Sequence, residues 1–186
     1  MVASTSFGVR MPVASTPMTV EPLEPPAAAP VRWLSTGEQE LWRRLLSVES
    51  RLQERLDGEL REAHRLNLGE YAVLVHLSEA GPGGLRMSDL ADLLLLSRSG
   101  LTRRIDALVK AGLVGRRSCP NDGRGSMAQL TSLGAQRLAE AAPTHVAGVR
   151  RYLIDALGAD IGGLARGLDR IEDALDSPDE GPRELS

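Results

Sequence analysis

At 186 residues and 20.0 kDa the chain suits one domain, a size that buries roughly two-thirds of the surface the unfolded polypeptide exposes. Apolar residues make up 42% and charged residues 25%, which excludes wholesale disorder and collagen-like repeats, and only 3% are aromatic, which argues against the base-stacking surfaces of single-strand and RNA binders. The net charge of −3 hides an asymmetry: residues 86–124 carry eight basic and four acidic side chains, a local +4 that leaves −7 elsewhere. Positive charge gathered on one segment of an acidic chain favours a polyanionic partner at one face.

Residues 1–31 hold more than half of the eleven prolines and no apolar periodicity, so they are expected to form a disordered arm. They contain no continuous apolar stretch of the kind a secretory signal needs. From Ser35 the character changes. Ser35 and Glu38 form a capping-box pattern, and Leu41, Leu45, Val48, Leu52, Leu56 and Leu60 follow at spacings of three and four, predicting an amphipathic helix over 36–65. A second helix is expected from Gly69 to Ala80, ending at Gly81-Pro82-Gly83-Gly84. A short extended piece, 85–87, precedes a helix capped by Ser88 and then another capped by Ser97 that runs to about Ala111. Two short helices with a tight connection outline a helix-turn-helix.

Gly112 ends the second of these, and residues 113–118 read as a strand. The turn formers of 120–125 return the chain through 126–130, completing a β-hairpin. Thr131 caps a long helix that Pro143 is expected to interrupt or kink, with Val146, Val149, Leu153 and Leu157 on one stripe beyond it. The last helix spaces Ile161, Leu164, Leu168, Ile171 and Leu175 by 3, 4, 3 and 4, a narrow seam that needs a partner helix. A flexible tail is expected over 177–186.

On a helical wheel centred on Leu101, Ile105 and Leu108 fall within about 40° and must face the core. Ser99, Thr102, Arg103, Asp106 and Lys110 lie opposite, with Arg98 and Arg104 on the flanks. An exposed face of Ser, Thr and Arg suits a major groove, where arginine reads guanine bidentately. Solvated charge is the blander account of such a face. The adjoining hairpin, with Arg116 and Arg117 on its first strand and Arg124 at its turn, supplies a second basic element placed to enter a minor groove.

The segment from Tyr71 to Gly134 resembles the MarR family of dimeric winged-helix transcriptional regulators. The resemblance is carried by LSRSGLTRRIDALVKAGLV at 96–114, by Asp122-Gly123-Arg124 as a D-x-R wing signature, and by Leu130-Thr131 with Gly134 opening the next helix. It implies a mainly α fold with a small β-hairpin wing. A winged helix-turn-helix would occupy 67–130, and the helices of 32–66 and 131–176 would form a dimerisation region. It further implies a homodimer on a pseudo-palindromic operator of double-stranded DNA, acting as a repressor and released by a small lipophilic or phenolic effector. By position, Ser97, Arg98, Ser99, Thr102, Arg103 and Arg104 would enter the major groove and Arg124 the minor groove, with Arg116 and Arg117 of the first wing strand as further DNA-binding residues. Asp122 would order the wing. Gly123 departs from the basic residue common at that place, which weakens the expected phosphate contact.

Trp42, His64, Tyr71 and His76 are candidates for lining an effector cleft, although ordinary packing is the readier account of each. Cys119, the single cysteine, sits at the wing base and reads as incidental, although Arg116 and Arg117 nearby would lower its pKa. One thiol and three scattered histidines offer no metal site. No nucleophile and base pair, glycine-rich phosphate loop or paired carboxylates appear, so no enzyme activity and no cofactor are expected. Low cysteine content and the absence of a membrane-length apolar run lead to the expectation of a cytoplasmic protein without membrane contact; residues 90–96, the densest apolar stretch, are interrupted by Asp92 and fall far short of ~20. The runner-up reading is a winged-helix protein-interaction module whose basic hairpin meets an acidic protein.

Overall fold

The computed structural model describes residues 31–119 and 122–177, and over 119–125 it describes no side chains. The expected N-terminal arm and C-terminal tail, apart from their innermost residues, lie outside the described residues.

Helix α1, Thr36–His64, starts as the sequence predicts: Ser35 Oγ accepts from the Glu38 amide while the Glu38 carboxylate accepts from the Ser35 amide at 2.7 Å. Helix α2, Leu68–Glu79, repeats the device with Asn67 and Glu70. Gly81 and Gly84, both at φ +69, then take the chain round into β1, Leu85–Arg86, a left-handed conformation that side chains with a Cβ resist. Helix α3, Met87–Leu93, begins one residue before the expected cap. Ser88 bonds the Asp89 carboxylate instead, at 2.9 Å, and no side chain caps this helix. Pairing of Arg86 with Met127, further along the chain, holds the entry extended.

Between α3 and α4, Arg98–Lys110, the chain turns at Leu95, which has φ 51 and is 93% exposed. A left-handed conformation costs a residue with a Cβ roughly 1 to 2 kcal/mol, and asparagine tolerates it better than leucine. Leu95→Asn is therefore expected to raise stability by about 1 kcal/mol, read as a higher urea midpoint at constant slope.

Strands β2, Val114–Cys119, and β3, Asp122–Leu130, form the hairpin, and β1 adds to β3 to give the antiparallel order β1-β3-β2. The turn is tighter than expected: Asp122–Gly125 belong to the strand, and Arg116 pairs with Ala128, Arg117 with Met127. Helix α5, Ser132–Val149, is capped by Thr131 and runs unbroken through Pro143, contrary to the expected interruption. Packing holds it on either side, with Ala141 fully buried and Gly148 so close to α1 that an added Cβ would lie 2.7 Å from Leu56. The irregularity comes later, as a π-helical turn at Arg150–Ile154, where Tyr152 donates to Glu59 at 2.6 Å. A last turn, α6, Asp155–Leu157, leads through Gly158 to α7, Ile161–Asp176.

One core joins these elements: Leu60 of α1, Val73, Leu74 and Leu77 of α2, Leu90 of α3, Leu101, Ile105 and Leu108 of α4, Val114 of β2, Ala128 of β3 and Ala141 of α5. Among the described residues, two apolar helix surfaces stay outside it. The α7 seam is exposed from Ile161 at 39% to Leu175 at 78%, and the N-terminal half of α1 exposes Leu41, Trp42, Leu45 and Val48. Among the described residues no helix is long and apolar enough to cross a membrane.

Candidate nucleic-acid interface

The α4 helix sorts its side chains as the wheel requires. Leu101, Ile105 and Leu108 are buried, while Ser97, Arg98, Ser99, Thr102 and Arg103 are exposed. Ser97 Oγ accepts from the Gly100 amide at 3.1 Å, which leaves the hydroxyls of Ser97 and Ser99 3.3 Å apart at the tip of the helix. Thr102 Oγ1 donates back to the Arg98 carbonyl at 2.9 Å. The Arg98 and Arg103 side chains make no hydrogen bond or ion pair with any described residue, so both guanidinium groups stand in solvent. An exposed helix tip carrying hydroxyls and unpaired guanidinium groups can donate to phosphate oxygens and to guanine edges alike.

The other expected contacts are placed differently. Arg104 is half-buried and lies across Gly69 of α2, where an added Cβ would fall 2.5 Å from its guanidinium carbon. Arg116 turns from solvent onto α4: its guanidinium pairs with Asp106 at 2.7 Å and donates to the Thr102 carbonyl at 3.4 Å. Arg117 donates to the Gly83 carbonyl at 2.6 Å. Asp106, which the sequence shows only as an acidic residue amid a basic face, thus has a partner that its spacing could not reveal. The side chains of Cys119, Asp122 and Arg124 lie outside the described ones.

None of the cavities described among these residues is lined by Trp42, His64, Tyr71 or His76. Trp42 is 53% exposed on α1. His64 Nε2 and Thr144 Oγ1 of α5 share a hydrogen bond at 2.8 Å, and His76 Nδ1 lies 3.7 Å from a Glu79 carboxylate oxygen. Tyr71 is buried with its ring centroid 4.5 Å from that of His145. A cleft of about 700 Å³ opens elsewhere, between α1, the start of α2 and the α3–α4 turn, lined by Glu54, Asp57, Leu68, Leu94, Leu96 and Arg104 among others. Burial raises the Asp57 carboxyl, and the Leu68 amide at 2.8 Å together with Arg61 outweighs it, holding the group below its ordinary value.

Burial also holds the His145 imidazole below its ordinary value, and its Nδ1 has no hydrogen-bond partner among the described residues. The unfolded chain then binds the proton more readily than the folded one, so stability is lost as pH falls below the ordinary histidine value of about 6.5. The urea midpoint is expected to drop between pH 7.5 and 5.5, and the drop to shrink in His145→Phe, which keeps the ring contact with Tyr71 and removes the titration.

Residues 66–125 match the sequence model of the MarR family. The fold is similar to that of AbsC, a MarR family transcriptional regulator from Streptomyces coelicolor: 39% identity, TM-score 0.72, over 78% of this chain and 98% of that one. It is similar too to Sco3205, a MarR family transcriptional regulator from the same organism solved in complex with DNA: 34% identity, TM-score 0.74, over 83% and 98%. A curated relative, the uncharacterised HTH-type transcriptional regulator YxaD of Bacillus subtilis (strain 168), is 37% identical over 83 residues, a stretch that spans 45% of this chain and 57% of that relative's length. Among the described residues, no group of three or more His, Cys, Asp or Glu is placed to hold a metal ion.

Proposed function

The chain belongs to the MarR family of transcriptional regulators, and from that membership and its α4 surface we propose that it is a homodimeric repressor binding a pseudo-palindromic operator in double-stranded DNA. The observation that carries the reading is the solvent-facing Ser99, Thr102 and Arg103 above a wholly buried Leu101, Ile105 and Leu108. Those three exposed residues discriminate bases, Arg98 meets phosphates, and Arg124 enters the minor groove. The DNA held by Sco3205, at 34% identity, supports the partner. Association through the exposed seam of α7 and the apolar half of α1 sets two such helices about one duplex turn apart. A small lipophilic or phenolic effector would release the operator by binding more tightly to a dimer geometry in which that spacing is lost, and the cleft beside Arg104 supports such control because it touches both α1 and α4.

The test is a gel shift with duplexes enriched from a random library and with the chain's own upstream DNA, at several salt concentrations. Specific binding should fall by orders of magnitude with salt. Arg103→Ala is expected to relax base preference at one position by about 1 to 3 kcal/mol. Arg124→Ala should weaken all sequences more evenly and reduce the salt slope by about one. Absence of any retarded complex at low salt would defeat the proposal and favour the protein-interaction module.

A further inference from the structure

Arg116 and Asp106 suggest a role that an inventory of basic residues misses. The β2 register places Arg116 opposite the buried Ala128, on the sheet face that looks toward the core. Its guanidinium spans two points one turn apart on α4, the Asp106 carboxylate at 2.7 Å and the Thr102 carbonyl at 3.4 Å. From the opposite sheet face Arg117 bonds Gly83 at 2.6 Å and Gln129 Nε2 bonds Pro82 at 2.7 Å, both on the loop before β1. The hairpin is thus stayed on two sides. A planar guanidinium sharing two acceptors fixes an angle better than a flexible ammonium does.

We propose that the Arg116–Asp106 pair is a strut that sets the angle between the wing and helix α4, making Arg116 a positioning residue for DNA reading and not a phosphate contact. The inference rests on the DNA-binding reading only for its effect on affinity; the strut itself belongs to the free protein. Asp106 is 56% and Arg116 33% exposed, and exposed pairs add little to stability. Loss of the strut therefore shows in binding and in wing motion more than in melting. An arginine already engaged within the protein also releases few counterions, so its removal leaves the salt slope in place.

The experiment compares Arg116→Gln, Asp106→Asn and the double variant in the full chain. On a duplex enriched from a random library by the wild-type protein, each single variant is expected to lose about fivefold in affinity, with the double variant no worse than either. The slope of log affinity against log salt should stay within about half an ion of wild type. Asp106→Asn is the sharper arm, because removing a negative charge near DNA would by simple electrostatics strengthen binding. Hydrogen exchange of the amides of 114–118 and 126–130, measured without DNA, should quicken equally in all three variants. Two results overturn the strut: unchanged exchange in every variant, or a slope reduced by about one ion in Arg116→Gln while Asp106→Asn binds as wild type. If no duplex is enriched, the DNA-binding reading fails, and the exchange arm still decides the strut.

Discussion

Gly134→Ala is expected to destabilise the protein by about 3 kcal/mol, toward the upper end of what overpacking a tight site costs, with a clear fall in the urea midpoint. Gly134 is the third residue of α5, and an added Cβ would lie 2.1 Å from the carbonyl oxygen of Leu113 and 2.8 Å from the Leu130 side chain. That carbonyl has no freedom to move aside. It accepts from the Thr131 amide at 3.1 Å and from Thr131 Oγ1 at 3.0 Å, and the same hydroxyl caps Gly134 at 3.0 Å. The cap, the strand end and the glycine form one knot, and each contact excludes a side chain at 134. Gly37, which has open space around it, is the control: Gly37→Ala should be neutral or slightly stabilising, because alanine favours helix by about 1 kcal/mol.

Glutamate at both Leu164 and Leu168 is expected to turn the proposed dimer into a monomer and to cut affinity for the proposed two-half-site operator by ~10² to 10⁴, the advantage that joining two half-sites confers. Both side chains lie on the α7 seam, 40% and 45% exposed, with apolar neighbours Ile161 and Ile171 exposed on the same stripe. Carboxylates buried at those places in the proposed dimer would find no compensating charge on an apolar stripe, and an unpaired charge in an apolar contact is costly. Sedimentation velocity reads the mass and a gel shift on a two-half-site duplex reads the affinity. Thermal melting should show the winged region intact, since α7 contributes no buried residue to the core. A variant that remains dimeric would place the interface elsewhere.

Local chemistry made several elements readable in advance. The Ser35–Glu38 box, the Ser97 and Thr131 caps and the three-and-four spacing of α1 and α7 involve residues within one turn of each other, so their geometry follows from the chain alone. The buried stripe of α4 was legible for the same reason, and with it the exposed Ser99 and Arg103. Misreadings arose where a distant segment competed. Ser88 lost its capping role because β3 pairs with Arg86 and starts α3 a residue early, and Pro143 failed to interrupt α5 because α1 packs against that helix on both sides of it.

Sequence by itself thus determined the helical and hairpin elements, the face of α4 left to solvent and the resemblance to the family, since all of these depend on spacings of a few residues. Tertiary structure alone decided which arginines are free to meet a partner. Arg98 and Arg103 stand clear, Arg104 lies across Gly69, and Arg116 and Arg117 are bound to Asp106 and Gly83. A guanidinium reaches several ångströms from its own backbone and pairs with whatever the fold brings near, ten residues away for Asp106 and thirty-four for Gly83. Helical periodicity carries no record of such neighbours.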